Sequence, residues 1–146
     1  MRRVRKIASN IVVEVSETRS RNMRAIRSKD TKPEIIVRKL VHALGRRYRL
    51  HRPDLPGKPD LVLARDKKVI LVHGCFWHGH SDPGCSIVHR PKTNKGYWTP
   101  KLRRNRSRDE SNLLALKALG WQTLTVWECE TRDKALLDRR LRSFLR

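Results

Sequence analysis

Acidic side chains are scarce in this chain of 146 residues. Only 14 residues are Asp or Glu, against 35 Lys or Arg, which gives a formal net charge of +21 at pH 7. So large an excess of one sign excludes a surface of balanced charge and predicts a polyanionic partner. Nucleic acid is the first candidate, and a ribosomal or membrane-surface role would explain the same composition.

Cysteines and long apolar runs are scarce as well. The three cysteines cannot all pair within one chain, which argues against a secreted disulfide scaffold. Nowhere do about 18 apolar residues follow one another, and the basic N-terminus has neither the apolar core nor the cleavage site of a signal peptide. We therefore expect a soluble, cytoplasmic protein with reduced thiols and no membrane partner.

The length is that of one domain. We expect residues 1–16 to form a basic, flexible tail and residues 17–146 to form a single domain. Hydrophobic periodicity predicts helices over residues 18–28, 32–44, 97–119 and 133–145, and strands over residues 46–50, 60–64, 69–73 and 121–127. This order predicts an α/β fold with a central mixed sheet flanked by helices. Residues 74–96 have no periodicity, which indicates a loop that function or a metal orders.

The most chemically loaded stretch is HGCFWHGH at residues 73–80. It follows the apolar run of residues 69–72, so a buried strand is predicted to end in it. Imidazole and thiolate are preferred zinc ligands, imidazole transfers protons near neutral pH, and paired aromatic rings stack on bases. The stretch is therefore the first candidate for a functional site.

Three cysteines and one histidine would complete a tetrahedral zinc site. Cys75 and His80 lie in the central stretch, Cys85 follows five residues later, and Cys129 comes directly after the last predicted strand. The spacing is not that of a standard zinc finger. His89 or His78 is an alternative fourth ligand, and three buried free thiols would explain the cysteines without a metal.

Asp60 follows a proline at the start of an apolar strand, which is how many nucleases present a metal-binding carboxylate to a phosphodiester. A turn residue is the simpler explanation of the same position, and a helix-capping role explains Glu34 equally well. In the usual nucleases of this kind the next strand adds an acidic residue and a lysine. Here it carries Val72 and His73 instead, so any catalytic machinery must use histidine.

Four blocks stand in the order found in one known family: RNMRAI at residues 21–26, LPGKPD at 55–60, HGCFWHGH at 73–80 and WEC at 127–129. Over roughly residues 17–132 the sequence resembles the very-short-patch-repair (Vsr) endonucleases. The resemblance implies a restriction-endonuclease-like core with a structural zinc ion. It also implies magnesium-dependent nicking of duplex DNA 5′ to the thymine of a T:G mismatch, which arises when 5-methylcytosine deaminates. A cytosine-5 methyltransferase and mismatch-repair proteins would be its functional partners.

The resemblance also implies roles for individual residues. Asp60 corresponds to the carboxylate that binds magnesium, with the main-chain carbonyl of Val72 as a further ligand. His78 corresponds to the general acid/base, His73 to a histidine that contacts phosphate, and Glu34 to an acid that supports the site. The structural zinc positions fall on Cys75, His80, Cys85 and Cys129.

The family's aromatic wedge, which enters the base stack beside the mismatch, corresponds to Phe76, Trp77 and Trp98, with Met23 approaching from the opposite groove. Inserting apolar side chains unstacks a base step at a cost that is lower at a mispair. The basic residues expected on the DNA backbone are Arg19, Arg21, Arg24, Lys101 and Arg104.

The sequence departs from the family in two places. Some members have threonine where this chain has Val72, and the interval between His80 and Cys85 is wider than the two-residue step in another member. A restriction-type or other-lesion endonuclease of the same fold stays an alternative, as do a non-catalytic zinc-stabilised DNA-binding module and a ββα-metal nuclease. We expect a monomer.

Overall fold

A mixed four-stranded sheet lies at the centre of the computed structural model, which describes residues 30–80, 82, 84–85 and 95–146. Its strands are β1 (Arg49–Leu50), β2 (Leu61–Leu63), β3 (Lys68–His73) and β4 (Gln122–Trp127), and they are adjacent in that order. The pairs β1–β2 and β2–β3 are antiparallel, whereas β3–β4 is parallel. The predicted α/β class with a mixed sheet is therefore confirmed.

Three helices accompany the sheet within the described residues: α1 (Lys32–Ala43), α2 (Lys95–Ala118) and α3 (Lys134–Phe144). Short 3-10 turns cover Ala64–Asp66 and Glu128–Arg132. The predicted helix bounds differ by one or two residues, but the strand predicted over residues 46–50 shortens to Arg49–Leu50. The helix predicted over residues 18–28 lies outside the described part. No helix in the described ranges combines the length and apolar character needed to cross a bilayer.

Strand β3 is buried on both faces because its side chains alternate between two apolar clusters. Ile70 and Val72 pack with residues of α1 and α3, whereas Val69 and Leu71 pack with Leu116 of α2. Full burial of one such side chain stabilises the fold by about 1.5–3 kcal/mol. The strand that leads into the loop at residues 74–80 is therefore the best anchored element of the sheet.

Candidate functional site

The parallel pairing of β3 with β4 brings two distant cysteines together. The register places His73 opposite Trp127, so the two chain segments leave the sheet side by side. Cys75 and Cys129 each follow two residues later, and the Cys129 amide donates a hydrogen bond to Cys75 Sγ at 3.4 Å. The topology thus staples the loop after β3 to the end of β4.

The loop after β3 folds back on itself in consecutive turns. The His78 amide donates to the Gly74 carbonyl at 3.1 Å, and the His80 amide donates to the Cys75 carbonyl at 2.8 Å. Gly79 has a φ of +61° and a β-carbon there would lie 2.7 Å from Arg106 Cδ of α2, which explains why this position is glycine. These turns return His80 to the cysteines.

The four predicted zinc ligands form one cluster. The ligand atoms of Cys75, His80, Cys85 and Cys129 all lie within 4.8 Å of one another. Cys129 Sγ lies 3.7 Å from His80 Nδ1. Sulfur and nitrogen ligands of a tetrahedral zinc ion stand about 3.6 Å apart. The donor set and its spacing therefore fit zinc.

Burial of these thiols opposes their ionisation. It raises the pKa of Cys75 to about 12 and also raises the pKa of Cys129. A bound cation reverses this effect because it stabilises the thiolate, and metal binding then releases protons. The raised pKa values argue against a reactive free thiol at this place.

A second group joins two carboxylates and a histidine. Glu34 of α1, only 3% exposed, accepts a hydrogen bond from Arg38 at 3.0 Å and lies 3.3 Å from His51 Nε2. The same nitrogen lies 3.6 Å from Asp60 Oδ1. Asp60 Oδ2 accepts the Val72 amide proton at 2.6 Å, which fixes this carboxylate against the end of β3.

The electrostatics of this group favour a cation. The pKa of Asp60 is raised to about 7: burial is the largest cause and the nearby Glu34 adds to it, while the hydrogen bond from Val72 and the charge of Arg38 oppose the shift. Two neighbouring carboxylates with one guanidinium beside Glu34 repel each other, and a cation relieves this repulsion. Oxygen ligands of this kind suit Mg²⁺, so the predicted ligand Asp60 fits that ion.

The third group contains both predicted catalytic histidines. His78 Nδ1 lies 2.6 Å from Asp109 Oδ2 of α2, and the His73 and His78 rings stack with centroids 3.9 Å apart at 4°. When Nδ1–H of His78 donates this hydrogen bond to the Asp109 carboxylate, Nε2 is left as the basic nitrogen. Burial and the neighbouring His78 lower the pKa of His73 to about 4, against the charge of Asp109.

The predicted catalytic residues lie in two separate groups, one with Asp60 and one with His78. The two groups contact consecutive residues of β3, Val72 and His73. Asp60 binds the Val72 amide, whereas the His73 side chain belongs to the group with His78 and Asp109. Since side chains alternate across a strand, His73 shares the face that carries α2 and not the face of Val72.

The predicted wedge residues Phe76 and Trp77 are half-buried, with ring centroids 5.2 Å apart at 72°. Asn105 donates to the Trp77 carbonyl at 2.9 Å, and Lys101 Nζ lies 5.5 Å above the Trp77 ring. Helix α2 therefore holds the aromatic pair. Arg104 is exposed on the same helix.

Several predicted contacts with DNA lie outside the described residues. The backbone of Trp98 belongs to α2, but its side chain is not described. The remaining predicted residues precede residue 30: Arg19, Arg21, Met23 and Arg24.

Sequence reasoning missed two members of the site. His51 lies in a turn-rich segment with no periodicity, so the sequence contains no signal for it. In the structure its backbone has a positive φ of +49°. Asp109 stands in the basic half of α2, beside Arg108 and one helical turn from Asn105. An acid in an otherwise cationic stretch was the available signal, although an exposed ion pair would leave the same pattern.

The sequence is similar to those of known proteins. Residues 13–83 match the family model described as DNA mismatch endonuclease Vsr. The chain is 50% identical over 129 residues to the type II nicking enzyme V.XorIIP of Xanthomonas oryzae pv. oryzae, covering 88% of this chain and 93% of that protein. It is 44% identical to the type II nicking enzyme V.NmeAIP of Neisseria meningitidis, covering 88% and 89%. It is 40% identical to the DNA mismatch endonuclease Vsr of Escherichia coli, covering 84% and 80%.

Proposed function

This chain belongs to the Vsr family of DNA endonucleases, and from that membership we propose that it nicks one strand of duplex DNA 5′ to the thymine of a T:G mismatch. Magnesium is the proposed catalytic cofactor and zinc the structural one. The mixed sheet and its helices are the proposed restriction-endonuclease-like core.

One observation carries the catalytic part of the proposal. Where β3 ends, the carboxylate of Asp60 accepts a hydrogen bond from the Val72 amide. At the next residue, the ring of His78, which Asp109 supports, stacks on His73. A protein that only bound DNA would gain nothing from burying Asp60 beside Glu34, because burial of like charges destabilises the fold. The arrangement therefore supports a hydrolase over the non-catalytic DNA-binding module.

The proposed division of labour follows from the contacts. Asp60 and the Val72 carbonyl hold magnesium, which supplies positive charge at the phosphate when it is bound. In a strand the carbonyl and amide of one residue point to the same side, so the Val72 carbonyl is directed to the side where Asp60 accepts the amide proton. Glu34 adds a second carboxylate, and neutral His73 contacts the phosphate.

His78 is the proposed general base. Asp109 holds the Nδ1 proton, so Nε2 can take a proton from the attacking water and return one to the leaving oxygen. Asp109 acts through His78 and is a positioning residue. Its carboxylate comes from α2, so the helix that carries the basic residues also orients the base.

Replacement of His78 tests this role. We expect His78→Gln to lower the single-turnover nicking rate by about 10²–10⁴-fold, the usual contribution of a general base. Asp109→Asn should lower it by about tenfold or more and change the pH profile of the rate, because an amide does not offset the charge of an imidazolium. Rates are measured on excess enzyme across pH 5.5–9.

The matched control is Glu110→Gln, which changes an exposed acid on the same helix and should leave the rate unchanged. A wild-type rate in His78→Gln would remove the histidine from the mechanism. A wild-type pH profile in Asp109→Asn would contradict the positioning role.

DNA binding is proposed to use the basic surface of α2 together with the N-terminal arginines. Lys101 lies over Trp77, while exposed arginines follow along the helix at Arg103, Arg104, Arg106 and Arg108. Release of counterions from phosphate makes such binding fall steeply with salt. Phe76 and Trp77, with Trp98 and Met23, are the proposed wedge at the mispair.

Further proposals concern the context of the enzyme. Residues 17–146 act as one domain with a basic tail before them, and the protein acts as a cytoplasmic monomer. A cytosine-5 methyltransferase creates the 5-methylcytosine whose deamination supplies the substrate, and mismatch-repair proteins act on the same lesions.

The test of substrate choice compares three duplexes that differ at one base pair: T:G, T:A and C:G. We expect magnesium-dependent nicking of the T:G duplex at least about 100-fold faster than of either matched duplex, which corresponds to about 2.7 kcal/mol of discrimination. Equal rates on all three would support the second candidate. That candidate is a nick at a restriction-type or otherwise damaged site, favoured by relatives that are named type II nicking enzymes without mention of a mismatch.

A further inference from the structure

His51 lies between the two buried carboxylates of the site. We propose that His51 Nε2 is a further protein ligand of the divalent cation held by Asp60, beside the Val72 carbonyl and Glu34. This inference rests on the proposed function, because it concerns the cation of the same site. Its consequence is a mixed nitrogen and oxygen site that takes Mn²⁺ in preference to Mg²⁺ more strongly than an all-oxygen site does.

The distances suit one cation. His51 Nε2 lies 3.3 Å from Glu34 Oε2 and 3.6 Å from Asp60 Oδ1, and ligand atoms of the three residues all lie within 4.8 Å of one another. Adjacent ligands of an octahedral ion at about 2.1 Å stand about 3 Å apart. Small side-chain movements therefore bring all three atoms to one ion.

The backbone directs His51 to this position. Leu50 pairs with Leu61 in the antiparallel register, and the next residue pair places His51 opposite Asp60, whose carbonyl accepts the His51 amide proton at 3.4 Å. At this point the chain adopts a φ of +49°, a left-handed conformation that is uncommon for a residue with a side chain. Strained backbone of this kind gathers at ligand sites, where the surrounding structure holds it in place.

The contacts of Asp60 direct one of its carboxylate oxygens toward the histidine. Asp60 Oδ2 accepts the Val72 amide, so Oδ1 is the oxygen directed to His51. Arg38 approaches Glu34 from within α1, one helical turn away. His51 is itself partly buried, with 21% of its side chain exposed, so the ring has one side open to solvent and to an incoming ion.

A nitrogen ligand changes which metals the site prefers. Mg²⁺ takes oxygen ligands almost exclusively, whereas imidazole suits Mn²⁺ and the later transition metals better. Loss of His51 should therefore weaken Mn²⁺ more than Mg²⁺. This difference separates a ligand from a histidine that only hydrogen-bonds two carboxylates.

The test is pulsed electron paramagnetic resonance of Mn²⁺ added to the zinc-loaded full chain without DNA. Zinc is diamagnetic, so only manganese contributes a signal. We expect a ¹⁴N modulation from one directly bound imidazole in the wild type and its loss in His51→Gln. Calorimetry should show Mn²⁺ bound at least about tenfold more weakly by this variant, with Mg²⁺ affinity changed by less than about threefold.

His42→Gln is the matched control, because His42 is an exposed histidine of α1 and should leave both signals unchanged. Nitrogen modulation that persists in His51→Gln would overturn the proposal, since another histidine would then be the ligand. Manganese whose binding requires Asp60 but whose spectrum contains no nitrogen would overturn it as well. Failure of the proposed function is a separate result: wild-type protein that coordinates Mn²⁺ through His51 and yet leaves T:G duplexes intact.

Discussion

Asp60→Asn is expected to abolish magnesium-dependent nicking, with a fall of about 10³-fold or more in the single-turnover rate, while the affinity for duplex DNA stays within about twofold. The asparagine oxygen can still accept the Val72 amide proton, so the end of β3 stays in place. What is lost is the negative charge that holds the cation. Nicking rate and equilibrium binding, measured on the same T:G duplex, separate the two effects.

The same substitution should stabilise the fold at alkaline pH in the absence of magnesium. The pKa of Asp60 is raised to about 7 in the folded state. A raised pKa contributes stability that is complete below the unfolded-state value of about 4 and is lost as pH rises through the folded value. A shift of about three units corresponds to about 4 kcal/mol.

Asparagine does not titrate, so the free energy of unfolding of Asp60→Asn relative to the wild type should rise between pH 4 and pH 8. Denaturant unfolding at several pH values measures this difference. Asp54→Asn is the matched control, because Asp54 lies in the same loop, largely exposed beside Arg52. Wild-type nicking by Asp60→Asn would contradict the catalytic assignment. A difference in the free energy of unfolding that does not change with pH would contradict the raised pKa of Asp60.

Loss of the zinc ligands is expected to unfold the protein. Structural zinc sites contribute about 10–16 kcal/mol of apparent binding free energy, which equals or exceeds the total stability of a typical domain, about 5–15 kcal/mol. Cys75 is fully buried and the cluster joins the loop after β3 to the segment after β4. Cys75→Ser should therefore lose both zinc and the cooperative thermal transition.

Metal analysis and circular dichroism melting test this expectation, with a strong chelator added to the wild type as a second route to the zinc-free state. His80→Gln should lower the melting temperature markedly, whereas the exposed His42→Gln should not. Folded, active protein without zinc would show that the cluster is only a group of packed thiols and an imidazole.

Much of the frame could be predicted from the sequence, because its signals are local. Apolar runs gave β2, β3 and β4, and the glycine stops placed the ends of α1 and α2 within two residues. The grouping of the four candidate zinc ligands followed from the position of Cys129 after the last strand. The parallel register of His73 with Trp127 is what brings that residue alongside Cys75.

His51 and Asp109 could not be predicted in the same way. Each depends on long-range geometry: His51 on the register of the two-residue strand β1 and on a left-handed backbone, Asp109 on the rotation of α2 over the loop. Neither the register of β1 nor the rotation of α2 can be read from the pattern of apolar and polar residues. The division of the catalytic residues into two groups has the same origin, since it follows from which face of β3 each element covers.

The loop at residues 74–80 combines these roles because it is short and is held from three sides. The cysteine cluster fixes its ends, Asn105 and Lys101 of α2 hold Trp77, and Asp109 of the same helix orients His78. Movement of α2 would therefore alter the aromatic pair and the base together. Rigid positioning of this kind is what a reaction at one phosphodiester requires.

Mapping the product at nucleotide resolution tests the central claim most directly. A duplex with one T:G mismatch, labelled in turn on each strand, is incubated with the zinc-loaded protein and magnesium under single-turnover conditions. We expect one break, in the thymine strand, at the phosphodiester directly 5′ to the mispaired thymine, and none in the guanine strand. Breaks in both strands, or a break whose position does not move when the mismatch is moved, would contradict it.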